Sequence, residues 1–191
     1  MLRRRAIVAL IGLAGLVACA SPNPALYTLT AVPGQASGGG PRLIEMREIG
    51  LADYLDRPGI VRSADNYQLQ LAKDDRWASP LAKMFSRVLG EDLSQRLPGS
   101  TVYSVSGAIS ARPDRVVEVN LHRFDADAGG DVVLAAEVAV RAAAGSRPRV
   151  AARSVRFSLR PRSGATADFV AALSTAAGRL ADVIAEMLRE G

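Results

Sequence analysis

The first nineteen residues constrain this chain most, because they have the pattern of a secretory signal rather than of a folded element. Three arginines at positions 3–5 precede an uncharged apolar run over residues 6–17. That run is too short to cross about 30 Å of hydrocarbon as a stable helix. It closes on Cys19, the only cysteine of the chain. The pattern predicts a signal peptide over residues 1–18 that is cleaved before Cys19.

The residues around this cleavage point resemble the lipobox of bacterial lipoproteins, with Leu16 three positions before the cut and Cys19 directly after it. In that motif the cysteine carries diacylglycerol on its thiol and a third acyl chain on its freed amine, which together give firm anchoring. An ordinary signal with a chance cysteine is the alternative, and the position of the lone cysteine favours the lipobox. Ala20, where aspartate would signal retention, favours export to the outer membrane. We therefore expect a lipidated tether over residues 19–26 and a periplasm-facing domain over residues 27–191.

Composition excludes several classes of protein. Cleavage before Cys19 leaves 173 of the 191 residues, enough for one domain. It removes three of the 24 basic residues, so the formal charge falls from +5 to +2. With no interleaved basic and aromatic residues, nucleic-acid binding is not expected. One cysteine excludes an intramolecular disulfide, and the single histidine, His122, excludes a multi-histidine metal site.

Hydropathy patterns predict a single α+β domain. Two apolar stripes at helical spacing predict helices over residues 79–97 and 166–189, the first with Ser79 as its cap and Pro80 at its first helical position. The glycine-rich segment 33–41 predicts a flexible loop with nothing to bury. We expect a mixed β-sheet of about six to seven strands with two main helices packed on one face. The β-prone segments are residues 27–30, 43–49, 60–62, 67–71, 101–109, 116–124, 132–141 and 150–159.

No catalytic residue, cofactor site or metal site is predicted. In the strand over residues 116–124, His122 falls on the polar face, which favours a solvated histidine over an acid–base catalyst. Residues 125–131 carry Asp125, Asp127 and Asp131 with calcium-loop spacing, but Gly129 and Ala136 stand where ligands are needed. A hairpin turn is the favoured interpretation of this segment, and a calcium loop is the alternative.

Two charged segments are candidates for contact with a partner. Residues 53–62 include Tyr54, Asp56 and Arg57, and surface ion pairs alone stabilise a fold too little to explain such a turn. The alternative is that Asp56 and Arg57 tie this loop to the domain. Residues 74–77 end in Arg76 and Trp77, and we expect them to form a loop ahead of the first helix. Trp77 is either a partner contact or, more in keeping with a large aromatic ring, a cap over the core.

Two stretches resemble the ABC-type transport auxiliary lipoproteins, the PqiC/YmbA family. Residues 53–62 (DYLDRPGIVR) are similar to the family's YLDRPQIV stretch, with Gly59 in place of glutamine. Residues 76–81 (RWASPL), 87–89 (RVL) and 93–98 (LSQRLP) are similar to its RWAEPL…RVLAENLSQRLP stretch. The lipobox belongs to the same pattern, and Cys19 is the one site residue that the resemblance transfers.

The resemblance implies a non-enzymatic periplasmic lipoprotein that works beside an MCE-domain protein and an inner-membrane permease in moving lipids between membranes. It also implies an α+β domain. Association with further copies of the chain is left open. Two alternatives from other classes are a pilot-like structural lipoprotein for another envelope complex, and a periplasmic lipid carrier with its own cavity.

Overall fold

The computed structural model describes residues 23–63, 68–105, 111–143 and 150–190. Within these residues the chain forms one mixed sheet and two long helices. The strands are β1 (Ala25–Tyr27), β2 (Leu43–Met46), β3 (Gly50–Leu51), β4 (Gly59–Ser63), β5 (Gln70–Trp77), β6 (Thr101–Ser104), β7 (Arg115–Ala126), β8 (Val132–Ala142) and β9 (Val150–Leu159), and the helices are α1 (Leu81–Arg96) and α2 (Thr166–Glu190). A single 3-10 turn spans Asp53–Leu55.

Strand β7 organises the sheet. One side of it pairs with β8, which in turn pairs with β9, all antiparallel. Its other side is shared by β2, β3 and β4, which follow one another along β7 and are all parallel to it. Strand β6 lies outside β2, whereas β5 and then β1 lie outside β4. The predicted mixed sheet is confirmed, with nine strands in the described residues because a two-residue strand such as β3 leaves no hydropathy pattern.

Both helices bury their apolar stripes against one face of the sheet, as predicted. Helix α2 packs over β8 and β9, and α1 packs against α2 and β6. Leu180, in the middle of the α2 stripe, is completely buried. Phe85 of α1 meets Phe124 of β7 edge to face, with ring centroids 5.2 Å apart. These contacts join the helices and the sheet in one hydrophobic core.

The start of α1 differs from the prediction. Leu81 is the first helical residue, so Pro80 occupies the cap position with an extended ψ of 131°, and no side chain caps the helix. Ser79 is therefore not the cap. The Met84 N–H donates to the Pro80 carbonyl at 3.1 Å, so the helical hydrogen bonds begin one residue later than predicted.

Strand β5 also differs from the prediction. We expected a half-buried strand over residues 67–71 and a loop over 74–77, but β5 runs to Trp77. Its pairing with β4 shifts register twice, and Asp74 takes a positive φ of 60°. The two register shifts and the positive φ let β5 continue through charged residues whose pattern predicts a loop. Tyr67 lies outside the described residues, and Leu71 is exposed rather than buried.

Residues 28–37, which we call the strap, cross the outer side of both helices between β1 and β2. Leu29 is completely buried there, and its carbonyl accepts a 3.0 Å hydrogen bond from the Arg87 guanidinium of α1. Farther along, the Ser37 N–H donates to the carbonyl of Arg96 at 2.8 Å. The prediction of a flexible loop from residue 33 onward is wrong for this part, because helical polar groups hold its backbone.

A buried ionic cluster fastens the strap. The Arg96 guanidinium is 3% exposed and donates to an oxygen of Asp182 on α2 at 2.6 Å, to the carbonyl of Gly178 at 3.0 Å and to that of Val32 at 3.1 Å. The Val32 N–H donates back to Asp92, a buried carboxylate of α1, at 2.7 Å. Burial raises the pKa of Asp92, and this hydrogen bond and the charge of Arg96 oppose the shift. One arginine thereby joins two helices and the strap.

Candidate interaction site

Five of the six predicted site residues fall into three groups, and Arg76 lies apart from them. Cys19, the predicted signal peptide and the first half of the tether (residues 19–22) lie outside the described residues, which begin at Asn23. Tyr54 belongs to the 3-10 turn on the sheet face opposite the helices. Asp56, Arg57 and Trp77 line one groove beside it.

Tyr54 fixes the 3-10 turn to the sheet. Its hydroxyl donates to an oxygen of Asp125 at 2.8 Å, and the other Asp125 oxygen receives the Arg123 guanidinium at 2.7 Å. Leu55, next to it, is buried in the core. Burial first, and then the hydrogen bond to the charged Asp125, raise the pKa of Tyr54 well above its ordinary value, with a smaller opposite effect from Arg123. Tyr54 is therefore a permanent hydrogen-bond donor that holds the turn.

A β-bulge creates the position of Asp125. The register between β7 and β8 shifts between Leu121 and Arg123, which leaves His122 unpaired in the ladder. The extra residue reverses the alternation, so Phe124 enters the core and Asp125 turns to the opposite face, under Tyr54. His122 lies on the exposed face as predicted, 3.4 Å from Glu137. The sequence contains an indication of this bulge. From Val117 to Leu121 the apolar residues of the strand occupy odd positions, and the next apolar residue is at the even position 124.

Asp56 and Arg57 lie in the groove, a depression of about 330 Å³ walled by Pro58, Trp77 and Pro80. In the part of the chain that the structure describes, neither side chain forms an ion pair or hydrogen bond, and Nε of Arg57 is buried without a partner. The alternative that these two residues tie the loop to the domain is therefore wrong. Tyr54 makes the side-chain tie, and the Trp77 N–H, which donates to the Pro58 carbonyl at 2.8 Å, makes the backbone tie.

Trp77 and Arg76 point in different directions from the end of β5. Trp77 is only 7% exposed and packs in the core. Of the two interpretations of this residue, a partner contact or a cap over the core, the structure therefore supports the cap. What remains exposed of Trp77 contributes one wall of the groove. Arg76 is opposite Gly59 in the ladder, on the sheet face away from the helices, and donates locally to the Asp75 carbonyl at 3.0 Å. The structure thus brings Asp56, Arg57 and Trp77 together and leaves Tyr54 and Arg76 outside this group.

Residues 127–131 form the turn of the β7–β8 hairpin, and Asp125 is still part of β7. One oxygen of Asp127 accepts the N–H groups of Gly129 and Asp131 at 2.9 and 3.0 Å, and Gly130 has a φ of 82°. Asp125 faces Tyr54, and Asp131 pairs with Arg160 at 2.5 Å. The three carboxylates therefore do not converge, and the described residues hold no group of three potential metal ligands.

The fold and this site define a class of protein: a single α+β domain, with an exposed ionic groove and a predicted lipid anchor ahead of its first strand. Among the described residues, no helix combines the length and apolar character needed to span a membrane. The family model of the ABC-type transport auxiliary lipoprotein component matches residues 27–185. The chain belongs to this family, which consists of transport components and is not a family of enzymes.

Curated relatives agree with this assignment, and two solved structures share the fold. The chain is 29% identical over 98 residues to proteins called intermembrane transport lipoprotein PqiC from Escherichia coli K12 and Shigella flexneri. Each alignment covers 51% of this chain and 51% of the relative, so the chain spans about half the length of the curated relatives that it matches. Protein XCC0632 from Xanthomonas campestris has a similar structure, with a TM-score of 0.69, 20% identity and coverage of 85% and 94% of the two chains. A second crystal structure, of an uncharacterised protein, matches with a TM-score of 0.72, 22% identity and coverage of 86% and 98%. At these identities, the solved structures show the fold alone.

Proposed function

We propose that this protein is an outer-membrane lipoprotein, anchored through acylated Cys19 and facing the periplasm, that serves as the auxiliary or docking component of an MCE/ABC-type intermembrane lipid transport system. The observation that carries the proposal is the family match over residues 27–185, together with a lone cysteine at the lipobox position. The partners are an MCE-domain protein and an inner-membrane permease of the same system. No catalytic step and no cofactor is assigned to this chain.

The groove beside the 3-10 turn is the proposed contact with the partner. Tyr54 and the core residue Leu55 hold the turn rigidly, so the adjacent Asp56 and Arg57 are presented on a fixed scaffold. These two charges have no side-chain partner in the described chain, although they belong to a stretch that resembles the family. Charged groups that the fold itself does not use are suited to complementary charges on a partner, where they contribute specificity.

A pull-down with the MCE-domain protein tests this contact. Replacing Asp56 and Arg57 by alanine should abolish co-purification and leave the melting temperature unchanged, because neither side chain supports the fold. The matched control is the double alanine variant of Arg153 and Glu190, an exposed pair 2.7 Å apart between β9 and α2, which should retain binding. A large fall in melting temperature with retained pull-down would reject the groove as the contact.

A lipid carrier with its own cavity has less support. A depression of about 720 Å³, bounded by described residues, lies on the open face of the sheet. Its lining includes Arg47, Glu118 and Glu137. Charged walls of this kind do not provide the apolar surroundings that an acyl chain needs.

A further inference from the structure

Exposed apolar side chains gather where the chain enters the domain. Leu26 of β1 is 65% exposed, Leu71 of β5 is 46% exposed, and Leu69 just before β5 is 36% exposed. The alternation of Leu69 and Leu71 with glutamines predicted a buried face, but the neighbouring Ala72 is the residue that packs into the core. This amphipathic strand therefore presents its apolar side chains with nothing in the described chain to cover them. We call Leu26, Leu69 and Leu71 the leucine patch.

Leu26 and Leu71 project from the same face of the sheet. Leu26 is opposite Arg76 in the β1–β5 ladder, and Arg76 is opposite Gly59 in the β4–β5 ladder. Directly opposed residues share a face. A Cβ on Gly59 would lie 3.5 Å from Cδ1 of Leu71, which places the Leu71 side chain over that same face. Leu26 and Leu71 thus both lie on the side away from the helices, with Arg76 between them.

The length of the predicted tether limits how far this patch can lie from a membrane. Strand β1 begins at Ala25, directly before Leu26 of the patch. The six residues from Cys19 to Ala25 reach at most about 21 Å. An acylated Cys19 would therefore hold the start of β1, and with it the patch, within about 21 Å of the lipid.

We propose that the leucine patch is a bilayer-contact surface that seats the anchored domain on the phospholipid layer in one orientation. This inference rests on the anchoring at Cys19 that is part of the proposed function. The occupant is the interfacial region of the bilayer, since short tethering holds the patch there and apolar side chains gain by leaving water. The opposite end of the sheet then points into the periplasm, where Val150 begins β9.

A site-specific probe tests the contact in the intact lipoprotein. Because Cys19 is the only native cysteine and is acylated in the mature chain, Leu71→Cys supplies a unique free thiol for an environment-sensitive NBD fluorophore. The matched control is Val150→Cys, because Val150 is 59% exposed. Val150 is the first residue of β9, at the opposite end of the sheet from Ser63, where β4 pairs with the end of β7. The labelled protein is reconstituted into vesicles of phosphatidylethanolamine and phosphatidylglycerol, and iodide quenching from the aqueous phase is measured.

The fluorophore at position 71 should have a blue-shifted emission and a several-fold smaller iodide quenching constant than the fluorophore at position 150. This difference should not depend on the protein-to-lipid ratio. Equal quenching at the two positions would overturn the proposal. Protection that grows with protein density would assign the patch to a second copy, and protection only after addition of an MCE-domain protein would assign it to that partner. Both results would overturn bilayer contact.

Acylation is read separately by mass spectrometry of the N-terminal peptide, which keeps the two hypotheses apart. An acylated chain with an accessible position 71 refutes the patch and leaves the anchor intact. A chain without acyl groups that still protects position 71 on added vesicles supports the patch and refutes the anchor. A chain with neither property refutes both.

Discussion

At the scale of single residues, the polar side chains of this domain serve to fasten segments that lack regular structure. Tyr54 holds the 3-10 turn through Asp125, and Arg96 holds the strap through two helices. In both cases a buried charged group, Asp125 or Arg96, has several hydrogen-bond partners. Removing one partner therefore leaves an atom of that group without its hydrogen bond. That asymmetry makes these contacts costly to break even where their net contribution is small.

Tyr54→Phe tests this description of the 3-10 turn. The variant leaves a buried oxygen of Asp125 without its donor, so the free energy of unfolding should fall by about 1–3 kcal/mol. The measurement is urea denaturation. Tyr27→Phe is the control, because Tyr27 is also partly buried and its hydroxyl has no hydrogen bond within the described chain. That control should change stability by less than about 0.5 kcal/mol. Equal effects of the two variants would show that Tyr54 is not a tie.

At the scale of elements, the sequence predicted the parts whose structure depends on local periodicity. The apolar stripe of α2 and its acidic first turn predicted residues 166–189, and the helix spans Thr166–Glu190. Strand β5 was placed wrongly because its last residues are charged and its bulged pairing with β4 carries no local pattern. The strap was missed because its partners on α1 and α2 lie 58 to 144 residues away in the chain. The sequence feature that could have indicated the strap is the pair Asp92 and Arg96, two charged residues in line with the apolar stripe of α1.

Gly34→Ala tests how tightly the strap packs. A methyl group at Gly34 would collide with the Arg96 guanidinium, which Asp182 and backbone carbonyls hold in place. We expect the free energy of unfolding to fall by about 1–3 kcal/mol, the usual range for overpacking. Gly38→Ala is the matched control from the same glycine-rich segment, since nothing lies within 4 Å of an added Cβ. It should be neutral or slightly stabilising. Equal stability of both variants in thermal unfolding would show that the strap is loose.

At the scale of the whole molecule, the leucine patch and the groove lie beside each other. The Leu71 side chain lies over Gly59, the first residue of β4, and the groove residues Asp56 and Arg57 come shortly before that strand. Sequence predicted the anchor and the charged stretch, because both are local motifs. It could not predict the exposure of the patch or its closeness to the groove, because both follow from the bulged β4–β5 pairing.

This arrangement fits a docking component. A rigid, charged surface beside a membrane contact would allow a transport assembly to be received at a fixed position. The proposed roles of the groove and of the patch both depend on the anchor, since without it neither surface has a defined orientation to the membrane. Acylation of Cys19 is therefore the claim on which the account depends.

Membrane fractionation of cells fed with labelled palmitate tests that claim most directly. The wild-type chain should carry the label and sediment with the outer membrane, whereas Cys19→Ser should lose the label and leave the membrane or stay unprocessed. Ala20→Asp is the matched control, because it keeps the acylated cysteine and should move the labelled protein to the inner membrane. A Cys19→Ser protein that still carries palmitate and fractionates with the outer membrane would contradict the account.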